Sequence, residues 1–179
     1  FSHILARYIA SSTATCDGAF FRNKITAVVG GGDVAVEDAI YLARMCEKVY
    51  LIHRRDEFRA AKSLVNKAKN TENIELVLDS TVERISGEAK VSSIEVKNKI
   101  TGNTDELAVD GVFLAVGMQP VTAFVDKSVQ MNEAGYIVAG EDCATNVPGV
   151  YAAGDIRTKQ LRQIITAAAD GANAVASVE

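Results

Sequence analysis

Three consecutive glycines, Gly30-Gly31-Gly32, stand between an apolar β-branched run and an amphipathic segment. Ile25-Thr26-Ala27-Val28-Val29 reads as a buried strand. Asp33 to Ala43 carries apolar side chains at 35, 36, 39, 40, 42 and 43, the spacing of a helix with one buried face. Val49-Tyr50-Leu51-Ile52 is a second buried-type strand, so the three segments predict a βαβ unit. Within it, Gly30-Gly31-Gly32-Asp33-Val34-Ala35 fits G-x-G-x-x-G/A. Gly30 permits the tight turn, Gly32 lets backbone approach a pyrophosphate, and Ala35 lets the helix pack closely on the strand. The first helical N–H groups then face the phosphate. Asp33 sits where capping and the helix dipole favour an acid. A plain strand–helix turn is the alternative, but the βαβ context favours dinucleotide binding.

The end of the second strand selects the dinucleotide. An acid there would hydrogen-bond a free ribose 2′-hydroxyl. This chain has His53-Arg54-Arg55 instead, with Arg59 four residues on. Arginines in that place grip a 2′-phosphate through forked, charge-assisted bonds, which favours NADP(H) over NAD(H). A solvated basic loop is the competing reading. His53 is either a spacer or a stacking partner.

Further along, Ala60 to about Asn70 predicts a helix with a basic face, and Ile74 to Leu78 a third strand. Segments 82–85, 93–97 and 105–109 alternate like half-exposed strands and are separated by turn residues, which predicts an antiparallel meander. Gly111 to Ala115 is the last parallel strand. Segments 135–138 and 150–153 are further strand candidates, and Ile164 to Val178 an alanine-rich helix interrupted by Gly171. Residues 4–9 suggest a helical turn or two, and 11–13 a polar break. The expected fold is α/β: a three-layer, Rossmann-like arrangement with a central parallel sheet, helices on both faces and the added meander. The expected divisions are 1–23, 24–120 and 121–179.

Composition narrows the function classes. The chain has 179 residues, 48% apolar and 23% charged, which suits a folded domain. The net charge of -4 argues against a nucleic-acid partner held by bulk charge. No apolar run reaches a membrane span and no leader opens the chain, so a cytoplasmic, reducing location is expected. Three scattered cysteines, Cys16, Cys46 and Cys143, suit neither a disulfide framework nor a metal site. Cys46 is expected mid-helix in the core, and Cys143 in a loop or as a structural thiol.

Two more motifs join the glycine loop. Thr15-Cys16-Asp17-Gly18 precedes it, and Thr145-Asn146-Val147-Pro148-Gly149-Val150-Tyr151-Ala152-Ala153-Gly154-Asp155 follows it. Together with Gly30-Gly31-Gly32-Asp33 and His53-Arg54-Arg55-Asp56-Glu57-Phe58-Arg59, and in this order, they resemble the bacterial-type thioredoxin reductases, pyridine nucleotide-disulfide oxidoreductases of low molecular weight. The resemblance covers roughly residues 13–178. It implies an NADPH domain inserted between two parts of an FAD domain, with 121–179 belonging to the second part. It implies that Gly30, Gly32, His53, Arg54, Arg55 and Arg59 hold NADPH. It also implies that Gly154 and Asp155 meet the FAD sugar-pyrophosphate region, and that Arg162, Gln163 and Ile164 lie near the flavin. Ala115, Val116 and Gly117, at the end of the last parallel strand, are counted with the cofactor-binding residues. Electrons would pass from nicotinamide to flavin to a cysteine pair to thioredoxin or a similar small disulfide protein.

The chain departs from that pattern twice. Cys-x-x-Cys-Asp is matched by Thr13-Ala14-Thr15-Cys16-Asp17, so Cys16 aligns with the cysteine facing the flavin and Asp17 with the proton donor, while Thr13 replaces the other cysteine. A hydroxyl cannot form the disulfide. Only one dinucleotide fingerprint is present, so the expectation is a truncated product with an impaired redox centre, or else an inactive NADP(H)-binding module or a half-domain that completes another chain's flavin domain. Apolar residues of the second part, Val150, Tyr151, Ile164 and Ile165, would lose cover. A homodimer or a partner chain is therefore expected.

Overall fold

The computed structural model describes residues 10–11 and 14–178. The chain divides into two compact units, Phe1–Val116 and Gly117–Glu179. In the first, β1 (Ala10–Ser11) leads to a short helix α1 (Ala14–Asp17) and a 3-10 turn, Gly18–Phe21. Then come β2 (Ile25–Gly30), α2 (Asp33–Ala43), β3 (Lys48–Ile52), α3 (Lys62–Lys69) and β4 (Ile74–Val77). The antiparallel strands β5 (Ser80–Gly87), β6 (Val91–Asn98) and β7 (Thr104–Ala108) precede β8 (Gly111–Ala115). The large sheet has the order β1-β8-β2-β3-β4, with every pair parallel. The expected βαβ unit, meander and last parallel strand are all present.

Strand alternation divides the core in two. Val28, Val49, Leu51 and Phe113 point to the face that buries Ala35, Val36, Ala39 and Leu42 of α2. Ala27, Ile52 and Val112 point the other way, onto Ile85, Ile94 and Val96 of the meander. Among the described residues of this unit, helices therefore cover one face and the meander the other. The expectation of helices on both faces is corrected. The meander's inward side chains fill the place a second helical layer would take.

Ser11, expected in a polar break, pairs in register with Phe113. The expected turns over 4–9, Ser12 and Thr13 lie outside the described residues. Cys46 is buried in the helix-side core as expected, but it lies beyond the end of α2, where its N–H donates to the Leu42 carbonyl.

In the second unit, Val129, Ile137, Ala139 and Ala152 form a small core. The strands expected at 135–138 and 150–153 are single bridges only: Ile137 with Met131 and Arg157, and Tyr151 with Ala144. Neither run meets a neighbour that continues the ladder. The last helix, α4 (Ile164–Val178), runs through Gly171 without a break. One interior glycine costs about 1 kcal/mol against alanine, too little to stop an alanine-rich helix of this length. At its start Ile164 is 90% exposed and Ile165 75%. Among the described residues no helix is long and apolar enough to cross a membrane, and no group of three or more His, Cys, Asp or Glu side chains is placed to hold a metal ion.

Candidate functional site: a glycine loop under a basic loop

The parallel registers bring three strand ends together. Val29 pairs with Ile52, and Gly30 with Ala115. The glycine loop, the basic loop that begins at His53, and Ala115-Val116 thus emerge from one edge of the sheet, where α/β folds bind ligands. Each glycine of the loop has its own reason. A Cβ on Gly30 would collide with the Ala115 carbonyl oxygen and stand 2.7 Å from the Ala35 Cβ. A Cβ on Gly31 would drive into the His53 ring. A Cβ on Gly32 would meet no atom within 4 Å. Nothing in the protein requires glycine at Gly32; a group lying against the loop backbone would. Gly32 caps α2 through its backbone, its carbonyl accepting from the Val36 N–H at 3.2 Å.

Asp33 does not cap its own helix, contrary to expectation. It is the first helical residue, and its Oδ1 accepts from the Ala61 N–H at 2.8 Å. The Arg59 N–H donates to the Gly31 carbonyl at 2.8 Å. These two bonds tie the basic loop to the glycine loop. A third restraint comes from His53. Its ring is only 6% exposed and stacks on Phe58, centroids 5.2 Å apart. His53 is thus a stacking residue, and its bulk is what makes Gly31 obligatory. Burial, and then the charges of Arg55, Arg59 and Arg54, hold its pKa below the ordinary imidazole value, despite a backbone hydrogen bond at Glu57. Its buried Nε2 has no hydrogen-bond partner among the described residues. Arg54, Arg55 and Arg59 are exposed, as is Val34. Their guanidinium groups enter no ion pair among the described residues. Three uncommitted guanidinium groups beside an open glycine backbone, with an orphaned imidazole nitrogen beneath, fit an anionic dinucleotide.

The Thr15-Cys16-Asp17-Gly18 motif lies on α1 and the following 3-10 turn. Ala14 is fully buried in the helix-side core, and Asp17 is half-buried. Cys46 and Cys143 are free and buried, and burial pushes both thiols above the ordinary cysteine value. In the second unit Gly154 and Asp155 open a 3-10 turn, Gly154–Ile156. Arg162 lies over the Tyr136 ring at 4.1 Å, and its Nε donates to the Asp155 carbonyl at 3.4 Å. The Gln163 N–H donates to the Thr166 hydroxyl at 3.1 Å. Gly117 is the first residue of this unit.

Sequence reading missed the group that holds this turn. Asp170 of α4 accepts from Arg157 Nε at 2.8 Å and Nη2 at 2.6 Å, from Lys159 Nζ at 2.7 Å and from the Gly154 N–H at 2.9 Å. Arg157, first, then Lys159 and the Gly154 N–H hold the Asp170 carboxyl well below the usual carboxylate range. The signal was legible: Asp170 is the one charged residue of an otherwise apolar and small-residue helix, and a buried charge needs partners. Cys143 joins this cluster by donating from Sγ to the Asp170 carbonyl at 3.3 Å, so it is a structural thiol.

These observations agree with what the chain resembles. A thioredoxin reductase of Listeria innocua is 47% identical over 163 residues, 90% of this chain and 51% of that protein. One from Treponema pallidum is 44% identical over 96% of this chain and 55% of that protein. The crystal structure of thioredoxin reductase from Streptococcus pyogenes superposes with a TM-score of 0.85 at 45% identity, over 94% of this chain and 56% of that one. The chain thus spans about half the length of the relatives it matches. The family described as pyridine nucleotide-disulphide oxidoreductase matches residues 5–171, a span that takes in the glycine loop, the basic loop and the Gly154 turn. The chain belongs to the pyridine nucleotide-disulphide oxidoreductase family and is similar to the thioredoxin reductases in it.

Proposed function

We propose that this chain is the NADPH-binding part, with a portion of the FAD-binding part, of a thioredoxin-disulfide reductase. The observation that carries the reading is the basic loop fastened onto the glycine loop by the Arg59–Gly31 and Ala61–Asp33 hydrogen bonds. Gly30 to Ala35 would hold the pyrophosphate, and Arg54, Arg55 and Arg59 the 2′-phosphate. His53 would support both loops, and Ala115, Val116 and Gly117 would flank the nicotinamide half. These residues form the NADPH domain, taken as 24–120, and 1–23 brings the redox motif. In 121–179, Gly154 and Asp155 would meet the FAD sugar-pyrophosphate region and Arg162, Gln163 and Ile164 the flavin. The Asp170 cluster supports this by fixing the Gly154 turn. Bound NADPH and FAD supply the hydride and the two-electron relay.

Cys16 would face the flavin and Asp17 would supply the proton. The substrate is a small disulfide protein of the thioredoxin kind. Leu161 and the exposed apolar start of α4, Ile164 and Ile165, support association with a second copy or a partner chain. The place of action is cytoplasmic, without membrane or nucleic acid.

Thr13 favours a second reading, an NADP(H)-binding module without turnover. Neither buried cysteine replaces the missing thiol. The visible absorption spectrum of the purified chain separates the two. Flavin bands that NADPH bleaches under anaerobic conditions support the reductase reading. A colourless protein that binds NADPH supports the module. If flavin is present, Thr13→Cys is expected to raise thioredoxin reduction, and an unchanged rate would count against Cys16 as half of the redox pair.

A further inference from the structure

Helix α2 carries the glycine loop at its start. Its middle receives the Cys16 segment. Among the described residues, contacts from Asp38 and Gly18 mark that junction. Asp38 is 9% exposed, and its carboxylate accepts a hydrogen bond from the Ala14 backbone, at the first residue of α1. Gly18, which closes the motif, is pressed onto α2: a Cβ there would stand 3.0 Å from Leu42 Cδ2 and 3.2 Å from Tyr41 Cε1. Ala14 itself is fully buried. The segment is thus clamped on both sides of Cys16. A buried carboxylate is a costly residue for a helix face that otherwise packs apolar side chains, and helix packing alone does not ask for one. Capping an N–H at the start of α1 does.

We propose that Asp38 is a positioning residue for the Cys16 segment: its buried carboxylate caps α1 at Ala14, and with Gly18 seated on Leu42 and Tyr41 it holds the Cys16 backbone on the helix that bears the nucleotide loop. This deepens the reductase reading and rests on it for the role of Cys16. The capping contact stands apart from turnover. It engages the middle of α2, so a change at residue 38 acts on the Cys16 segment without touching the NADPH residues.

The test uses the full chain and three variants, Asp38→Ala, Asp38→Asn and Gly18→Ala. Hydrogen exchange of the Ala14 amide and the rate of Cys16 alkylation are followed by peptide-level mass spectrometry, which separates Cys16 from the buried Cys46 and Cys143. NADPH binding reports that each variant is folded. Losing a cap should speed Ala14 exchange about five- to tenfold in Asp38→Ala and raise Cys16 alkylation with it. Asp38→Asn keeps an acceptor oxygen and should restore both rates. Gly18→Ala should raise Cys16 alkylation while leaving NADPH binding intact. Unchanged Ala14 exchange and Cys16 alkylation in Asp38→Ala would overturn the proposal, as would an Asn variant as fast as the Ala variant. No readout depends on reduction of a disulfide. A chain that fails as a reductase but shows the Ala–Asn difference upholds the cap and refutes the reductase reading alone.

Discussion

The three glycines of the glycine loop look alike in the sequence, and the structure separates them. Gly31→Ala forces a methyl into the His53 ring, so it should destabilise the chain by about 1–3 kcal/mol, the range for overpacking. Gly32→Ala meets no neighbouring atom. It should leave the unfolding midpoint in urea unchanged while weakening NADPH binding. A loss of stability in Gly32→Ala, or full NADPH affinity, would contradict the account. Asp38 gives a pH prediction. Burial, with the charge of Glu37 adding to it and the Ala14 hydrogen bond opposing, pushes its pKa up to about 6. A carboxyl raised on folding favours the protonated native state. Its unfavourable contribution is absent below about pH 4, grows as pH rises through 6 and is complete by pH 7. Asp38→Asn should therefore be more stable than the parent at pH 7.5, by up to about 3 kcal/mol, with the difference vanishing near pH 4. Urea denaturation at the two pH values measures it. The residue was within reach of sequence reading: 35, 38 and 42 share a helix face, so an acid at 38 on a buried stripe needs a donor. What no pattern disclosed was that the donor is Ala14, since that contact depends on where a four-residue helix docks.

Among the elements, those with strong periodicity were legible. β2, α2 and β3 lie where the apolar spacing predicts, and the meander strands follow their alternation. The layer assignment was not legible, because a strand buried on both faces does not say whether a helix or a sheet covers it. The runs at 135–138 and 150–153 looked like strands for the same reason; a β-branched apolar run marks burial, and a ladder also needs a neighbour. At this scale the Asp170 cluster ties the Gly154 turn, Arg157 and Lys159 to α4. Asp170→Asn leaves two buried cations short of their charge partner. It should cost about 3–5 kcal/mol, the range for breaking a buried pair, and loosen the Gly154 turn. The depressed carboxyl contributes stability that is complete above about pH 4 and is lost as pH falls below it. Protection of the Gly154 amide, its exchange compared with that of the unfolded chain at the same pH, should therefore hold in the parent from pH 7 to about pH 4 and weaken in more acid solution. In Asp170→Asn that protection should be low throughout. A parent amide that exchanges at the same rate as the variant would exclude the cluster as the anchor.

For the whole molecule, the described residues of the first unit form a five-stranded sheet with a covered core on each face and the two loops locked together. The second unit has a small core and leaves Ile164 and Ile165 in the open. The motif order made the family legible, whereas the fastening of the basic loop required coordinates, because Asp33 and Ala61 are 28 residues apart. That fastening is the centre of the account, for it places three free guanidinium groups beside an open glycine backbone. Each charge-assisted hydrogen bond to a 2′-phosphate is worth about 1.5–3 kcal/mol, or roughly tenfold and more in affinity. Calorimetric titration of the chain with NADPH and with NADH tests it most directly. The account predicts NADPH binding at least about tenfold tighter than NADH, with the preference abolished in Arg54→Ala/Arg55→Ala. Equal affinity for the two cofactors in the parent chain, or a preference that survives the double substitution, would contradict it.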